Sequence, residues 1–360
     1  MSGAVTACAT CRRRSALVAA LSPRIERYGR DRERLAALLA LPDDELLGSL
    51  GLGTGAATLP GLGPSPASDE DDAIAVCRHD PAFPAALVDV PWAPAALHLG
   101  GDPKRVLAFL AGPCAALIGT RRPTEYGLEV ARELASSLAS AGVCVVSGLA
   151  MGIDATVHGA ALDAGGPTVA VLAGGVDVPY PATRRGTHRR LLAHGGVVAE
   201  LPRGSAPRRW GFVARNRIVA GLAAVTVVVE ARERSGTLIT AGYARDLGRE
   251  VAAVPGPVTS SRSDGTNGLI RDGAHLVCDA RDVLDLLYGV GGGALRSRAA
   301  TSLPPELDRL LALVRAGSDA PGRLVERGVP LDEALIGLTE LELRGCVRRT
   351  LSGRYLAVGG

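Results

Sequence analysis

Lysine is almost missing from this 360-residue chain: Lys104 is the only one, and every other basic residue is arginine. The absence excludes one large class of function. A P-loop ends in Gly-Lys-Ser/Thr, whereas Lys104 sits in Gly101-Asp102-Pro103-Lys104-Arg105. ATP hydrolysis of the P-loop kind is therefore ruled out. Aromatic residues are also scarce, with 2 Trp, 6 Tyr and 3 Phe. The core must come from Val, Leu, Ile and Ala, and any group of rings near a charged loop stands out.

Long apolar runs are missing too. The longest, Ile218 to Val229, is bracketed by Arg217 and Glu230 and is too short to span a bilayer. Arg12-Arg13-Arg14 followed by Ala16 to Leu21 ends at Pro23-Arg24, too brief for a secretory leader. No membrane association is expected. The 7 cysteines are odd in number, and several lie inside apolar runs such as Val143-Cys144-Val145. Buried reduced thiols of this kind indicate a reducing cytoplasm. Cys8 and Cys11 form one CxxC with no second pair and no histidine doublet nearby. A structural zinc site wants four ligands, so no metal is expected.

The chain divides by composition. Residues 12–50 predict a small helical module of the SAM or helix-hairpin-helix type, and 51–75 a Gly/Pro/Ser-rich linker ending in acids. Residues 76–288 alternate Val-rich runs (115–118, 143–147, 168–172, 196–199, 225–230 and 250–254) with helical patterns. That pattern predicts an α/β fold, a Rossmann-like doubly wound parallel sheet. Residues 289–302 predict a second linker. Residues 303–360 run helix, helix, turn, helix, hairpin, the order of a winged helix. Its expected recognition helix, Leu331 to Arg344, carries four acids against one arginine. A helix this acidic would be repelled by phosphate, so protein contact or regulation is expected there.

Ligands of a doubly wound sheet sit at the carboxyl ends of its strands. After the first Val-rich run comes Gly119-Thr120-Arg121-Arg122, with no G-x-G-x-x-G and no acid closing the second run. Nicotinamide or flavin dinucleotides are thus not expected, and no cofactor is. A Gly-Thr-Arg turn opening a helix suits phosphate instead, through helix-terminal amides and a forked contact from Arg121 or Arg122. Ser147-Gly148 offers a second anion cradle, and Arg234-Ser235-Gly236-Thr237 opens another helix. No Gly-x-Ser-x-Gly elbow surrounds either serine.

The strongest feature is charge asymmetry. Residues 178–217 hold nine arginines (184, 185, 189, 190, 203, 208, 209, 215 and 217) opposed only by Glu200. The chain's net +3 is therefore +8 over forty residues and −5 elsewhere. Tyr126 precedes this stretch, and Tyr180, Trp210 and Phe212 lie within it. Arginines that follow a backbone, with rings that stack on bases, are the parts of a single-strand groove. The alternative is a solvated basic face with Trp210 and Phe212 in the core.

This series of motifs resembles the DNA-processing protein A family (DprA, also called Smf). The resemblance runs from about Asp80 to Leu284. It rests on Gly119-Thr120-Arg121 with Tyr126-Gly127, Ser147-Gly148-Leu149-Ala150 with Gly152-Ile153-Asp154, Asp177 with Tyr180-Pro181, Arg215-Asn216-Arg217-Ile218, Glu230 with Ser235-Gly236-Thr237, Val254-Pro255-Gly256, and Gly265-Thr266-Asn267 with Leu269-Ile270. The resemblance implies a homodimer that binds single-stranded DNA without nucleotide hydrolysis and loads the recombinase RecA during uptake or recombination of DNA. It also implies that Arg121 binds phosphate, that Arg184 or Arg185 is a second basic contact, that Asn216 and Arg217 line the groove, and that Leu269 and Ile270 make the dimer contact. Met151 stands where the family often has a basic residue, which weakens the Ser147 to Asp154 loop as a phosphate grip. A non-enzyme is expected. The competing expectation is a nucleotide-binding or phosphoribohydrolase-like enzyme built around Glu230 and Gly236-Thr237.

Overall fold

Nine strands form one sheet: β1 (Ala75–Cys77), β2 (Ala96–Gly100), β3 (Cys114–Ile118), β4 (Cys144–Ser147), β5 (Thr168–Leu172), β6 (Gly196–Ala199), β7 (Val225–Val228), β8 (Glu250–Ala253) and β9 (His275–Leu276). Their spatial order is β1-β2-β6-β5-β4-β3-β7-β8-β9. The structure is a computed structural model that describes residues 7–29, 31–52, 74–290, 304–343, 346–349 and 354–357. From β6 to β9 all neighbours are parallel, while β2 runs antiparallel to β6 and β1 antiparallel to β2. The six Val-rich runs thus become the six central strands of an α/β sheet, as expected. The edge strands β1 and β9 and the antiparallel β2 lie outside the predicted runs.

The reason these runs are continuous rather than alternating is that both faces are covered. In β3, Cys114, Ala116 and Ile118 face one core and Ala115 and Leu117 the other. The first core is closed by α5 (Pro103–Ala111), α9 (Arg209–Leu222), α10 (Thr237–Asp246) and α11 (Asp264–Arg271). The second is closed by α6 (Glu125–Ser140), α7 (Ile153–Asp163) and α12 (Ala280–Tyr288). Burying a side chain such as Leu117 completely contributes about 1.5–3 kcal/mol. Helix starts follow local rules: Asp102 caps α5 with Pro103 as its first residue, and Asp279 makes a capping box with Asp282 on α12.

At the amino-terminal side, α1 (Ala9–Ile25), α2 (Arg32–Ala40) and α3 (Asp43–Ser49) bury Leu21, Ile25, Leu35 and Leu46 in one cluster. Leu201, Trp210 and Ala214 belong to the same cluster, so the helices predicted over 12–50 share a core with the sheet domain. Trp210 is 1% exposed. It cannot offer a stacking face, which corrects its placing in the groove. The start of α1 lies beside β1, and this brings Cys77 and His79 next to the Cys8–Cys11 pair. These companions are more than sixty residues away in the chain, so the CxxC shows no partners in the sequence around it.

The short α4 (Ala85–Val88) precedes β2, and α8 (Arg185–His194) lies against β5 and β6. The chain separates into two compact units, Met1–Ser297 and Arg298–Gly360. The second contains α13 (Pro305–Arg315), α14 (Pro321–Val325), α15 (Leu331–Leu343) and the antiparallel pair β10 (Val347–Arg349) and β11 (Tyr355–Ala357). Its core is Leu307, Leu310, Leu311, Val314, Leu324, Leu338 and Tyr355. Most of both expected linkers, and the Ser352-Gly353 turn, lie outside the described residues.

Candidate nucleic-acid interface

The parallel strands reverse direction of progress across the sheet between β3 and β7, and that switch point opens a crevice at the strand ends. Past these ends the segments that follow β3 and β7 stay joined. Val229 N–H donates to Ile118 O at 2.9 Å and Thr120 N–H to Glu230 O at 2.8 Å. Thr237 adds a hydroxyl donation to Gly119 O at 3.0 Å. Gly119-Thr120 and Gly236-Thr237 are thereby held together.

Glu230 has a structural task. It is 4% exposed, and its Oε2 accepts from Thr124 N–H at 3.0 Å and from the Thr124 hydroxyl at 2.7 Å. Thr124 Oγ1 in turn accepts from Gly127 N–H at 3.1 Å. A Cβ on Gly127 would crowd Glu230 Oε2 and push the carboxylate off the Thr124 amide. A carboxylate is thus seated on the positive end of α6. This corrects the expectation that the amides of that helix are free to take phosphate: two are committed. What the turn offers a ligand is the exposed side chains of Arg121 and Arg122.

A cavity of about 610 Å³ occupies the switch point. Five arginines line it, Arg121, Arg122, Arg215, Arg232 and Arg262, against Asp154 as the one acid. Gly119, Thr120, Gly148, Asn216, Gly236 and Thr237, all expected in the site, line it as well. Arg215 is 7% exposed and forms the floor. Its Nη1 donates to the carbonyls of Gly148 and of Val171 (2.6 Å for the latter), and its Nε donates to Asn216 Oδ1 at 3.0 Å. A Cβ on Gly148 would crowd the Arg215 guanidinium and displace it from its carbonyl partners.

The cavity's charge shows in its titrating groups. Burial lowers the Arg215 pKa, the nearby Asp154 opposes that, and the positive charge of Arg121 lowers it further. Burial raises the Asp154 carboxyl, and Arg215 only partly offsets the effect. Both shifts are led by burial; the excess of positive charge that a polyanion site requires lies in the lining itself, five arginines against one acid.

Arg121 also reaches the aromatic residues. Its guanidinium lies 5.7 Å from the centre of the Phe212 ring, and Phe212 lies 5.3 Å from Tyr180 at 57°. Tyr180 is 54% exposed. The two rings make a platform beside the arginine, with a face for a base and a cation for its phosphate. Arg184 and Arg185 sit just beyond, the former half-buried and the latter exposed, where a 3₁₀ turn (Ala182–Arg184) leads into α8. Neither lines the cavity.

Several expected residues are elsewhere. Arg215-Asn216-Arg217 is not a loop but lies inside α9, and residues two apart on a helix point about 200° apart. Arg217 consequently faces away: it is 1% exposed, pairs with Glu200 at 2.5 Å and donates to Trp92 O at 2.6 Å. Ser147 is fully buried and donates its hydroxyl to Leu117 O at 2.7 Å, which takes it out of any anion cradle. Leu269 is 7% exposed within the first core, so it is not a surface contact; Ile270 is partly buried against the same core. Gly265-Thr266-Asn267 is helical, and Asn267 clamps Gly256 through Oδ1 and Nδ2 at 3.2 and 3.0 Å.

Two site residues escaped sequence reasoning. Arg232 stands two residues beyond Glu230 at the end of β7, and the strand-end rule applied there would have found it. Arg262 comes from the serine-rich stretch 259–263 and reaches the cavity by donating to Arg122 O; no local pattern announces it.

Comparison with known proteins agrees with this geometry. The family model described as DNA recombination-mediator protein A matches residues 74–288. A Mycobacterium tuberculosis protein provisionally named DNA processing protein DprA is 50% identical over 203 residues, 56% of this chain and 52% of its own. The chain thus spans about half the length of that relative. The X-ray structure of DprA from Streptococcus pneumoniae superposes with a TM-score of 0.59 at 31% identity, covering 76% of this chain and 95% of the other. DNA processing protein A from Helicobacter pylori, in a structure concerned with its single-stranded DNA binding mode, superposes with a TM-score of 0.51 at 30% identity, covering 56% and 90%. The chain belongs to the DNA recombination-mediator protein A family, whose members carry the names DprA and Smf.

Proposed function

We propose that the chain binds single-stranded DNA at the switch-point cavity and passes the strand to RecA, acting as a mediator in recombination or uptake of DNA rather than as an enzyme. The observation that carries this reading is five arginines lining one cavity against a single buried acid. Family membership and the single-stranded DNA structure of the Helicobacter relative support it. The rings of Phe212 and Tyr180 supply stacking without reading sequence. The strand would enter over Arg121 and Arg122 and leave across Tyr180 toward Arg184 and Arg185.

The placing of the acids supports a role without catalysis. Glu230, the residue an enzymatic reading needs, spends Oε2 on the cap of α6 and does not line the cavity, and Asp154 is buried beside Arg215. Acid–base chemistry wants two groups placed at a reacting atom. The protein acts in the cytoplasm as a homodimer, with Ile270 the member of the expected pair still partly exposed. Among the described residues no helix is long and apolar enough to cross a membrane.

The test is a filament assay. RecA assembly on single strands already coated with single-strand-binding protein should accelerate when this protein is added. Unchanged assembly, with DNA binding intact, would remove RecA loading from the proposal.

A further inference from the structure

The first helix begins where the edge strand ends, and four metal-binding side chains meet at that point. Cys8 and Cys11 come from the start of α1, Cys77 from the last residue of β1, and His79 from the turn after it. Their three sulfurs and one ring nitrogen all lie within 4.8 Å of one another. His79 Nδ1 is 3.5 Å from Cys8 Sγ, 3.4 Å from Cys11 Sγ and 4.0 Å from Cys77 Sγ. A tetrahedral zinc ion with zinc–sulfur bonds near 2.3 Å and zinc–nitrogen bonds near 2.05 Å holds sulfur and nitrogen about 3.6 Å apart. The three distances bracket that value.

We propose that Cys8, Cys11, Cys77 and His79 bind one structural zinc ion. Three thiolates and an imidazole form a soft donor set suited to zinc and unsuited to magnesium or calcium. Four protein ligands leave no open position for chemistry, so the ion's role is to join parts of the chain. Beyond the four ligands, the backbone N–H of Cys8 donates to Cys77 Sγ at 3.4 Å, a contact that stabilises a metal-bound thiolate. Ala7, Ala75 and Ala96 pack around Cys11 and Cys77 and keep water from that side.

Two plainer accounts fit less well. Cysteines that merely fill a core would all be buried, yet Cys8 and His79 are exposed. A Cys8–Cys11 disulfide would use two sulfurs and leave Cys77 and His79 converging on nothing. The ion instead ties residue 11 to residue 77 and pins α1 to the sheet edge. From the other end of α1, Leu21 and Ile25 reach the cluster that holds Trp210, two residues before Phe212 of the DNA platform. The metal therefore holds the amino-terminal helices against α9, the element that carries Phe212.

The full chain, produced in zinc-supplemented medium and analysed by plasma mass spectrometry, should hold about one zinc per chain. Cys11→Ser and Cys77→Ser should each remove it. Cobalt added to chelator-stripped, reduced wild-type protein should give thiolate-to-metal charge-transfer bands and tetrahedral visible bands, and His79→Ala should shift the latter. The cobalt experiment keeps the test open if a cysteine variant fails to fold. Zinc-free protein that gives no cobalt bands would overturn the proposal. So would a Cys8–Cys11 disulfide seen as a mass short by two hydrogens under reducing-free preparation, or zinc retained at full level in both cysteine variants.

Discussion

The Arg121 guanidinium lies 5.7 Å from the centre of the Phe212 ring. The two residues come from separate elements, Arg121 from the turn after β3 and Phe212 from the first turn of α9. The sheet thus delivers a cation and a stacking surface to one place. If a base stacks there, Phe212→Ala should cost about 1–3 kcal/mol of single-strand affinity. Titration of a labelled oligo-dT should show a loss between about fivefold and 150-fold, with unchanged thermal stability. Equal affinity in the variant would mean that bases do not use this platform.

Arg217 should behave in the opposite way. Its side chain is buried against Glu200, and removing one partner of a buried pair costs about 3–5 kcal/mol. Arg217→Ala should therefore lower stability in urea unfolding, while any folded fraction binds DNA as the wild type does. A stable Arg217→Ala protein with weakened DNA binding would return this residue to the groove.

That contrast shows what was legible beforehand. The six parallel strands were visible because a strand covered on both faces must be apolar at every position, as Val143 to Val146 are. The turns at Gly119-Thr120-Arg121 and Gly236-Thr237 were visible because strand ends are where such a sheet binds ligands. Side-chain direction was not: Arg215 and Arg217 look alike in a basic run, and only the helix spanning both sends one to the cavity floor and the other to Glu200. Trp210 and Phe212 separated for the same reason. Cys77 and His79 were invisible as partners of Cys8 and Cys11 because only the antiparallel edge of the sheet brings them together.

His158 gives the protein an acid-sensitive core. It is fully buried on α7, its Nδ1 lies 2.8 Å from Thr168 Oγ1, and that hydroxyl donates to Val145 O at 2.7 Å. Burial, followed by the positive charge of Arg215, pushes its pKa down to about 3. The unfolded chain takes up a proton near pH 6.5 that the folded chain refuses. The stabilisation is complete above pH 6.5 and is lost as pH falls toward 3, by about 2 kcal/mol at pH 5. Asp154, with its raised carboxyl, acts in the other sense, so the residue must be isolated by substitution. The stability gap between wild type and His158→Gln in urea should narrow by about 2 kcal/mol from pH 7 to pH 5. A constant gap would mean that His158 titrates normally.

The central claim is that the arginine-lined cavity holds the phosphates of a single strand. The most direct measurement is fluorescence anisotropy of oligo-dT binding across a salt series, for wild type and for Arg121→Ala/Arg122→Ala. Both side chains are exposed, so folding should be spared. Charge-assisted contacts of about 1.5–3 kcal/mol each predict at least a hundredfold loss of affinity for the pair. The slope of log affinity against log salt should become shallower by about 0.7 per lost phosphate contact. A double variant with unchanged affinity and unchanged slope would place the DNA somewhere other than the switch point.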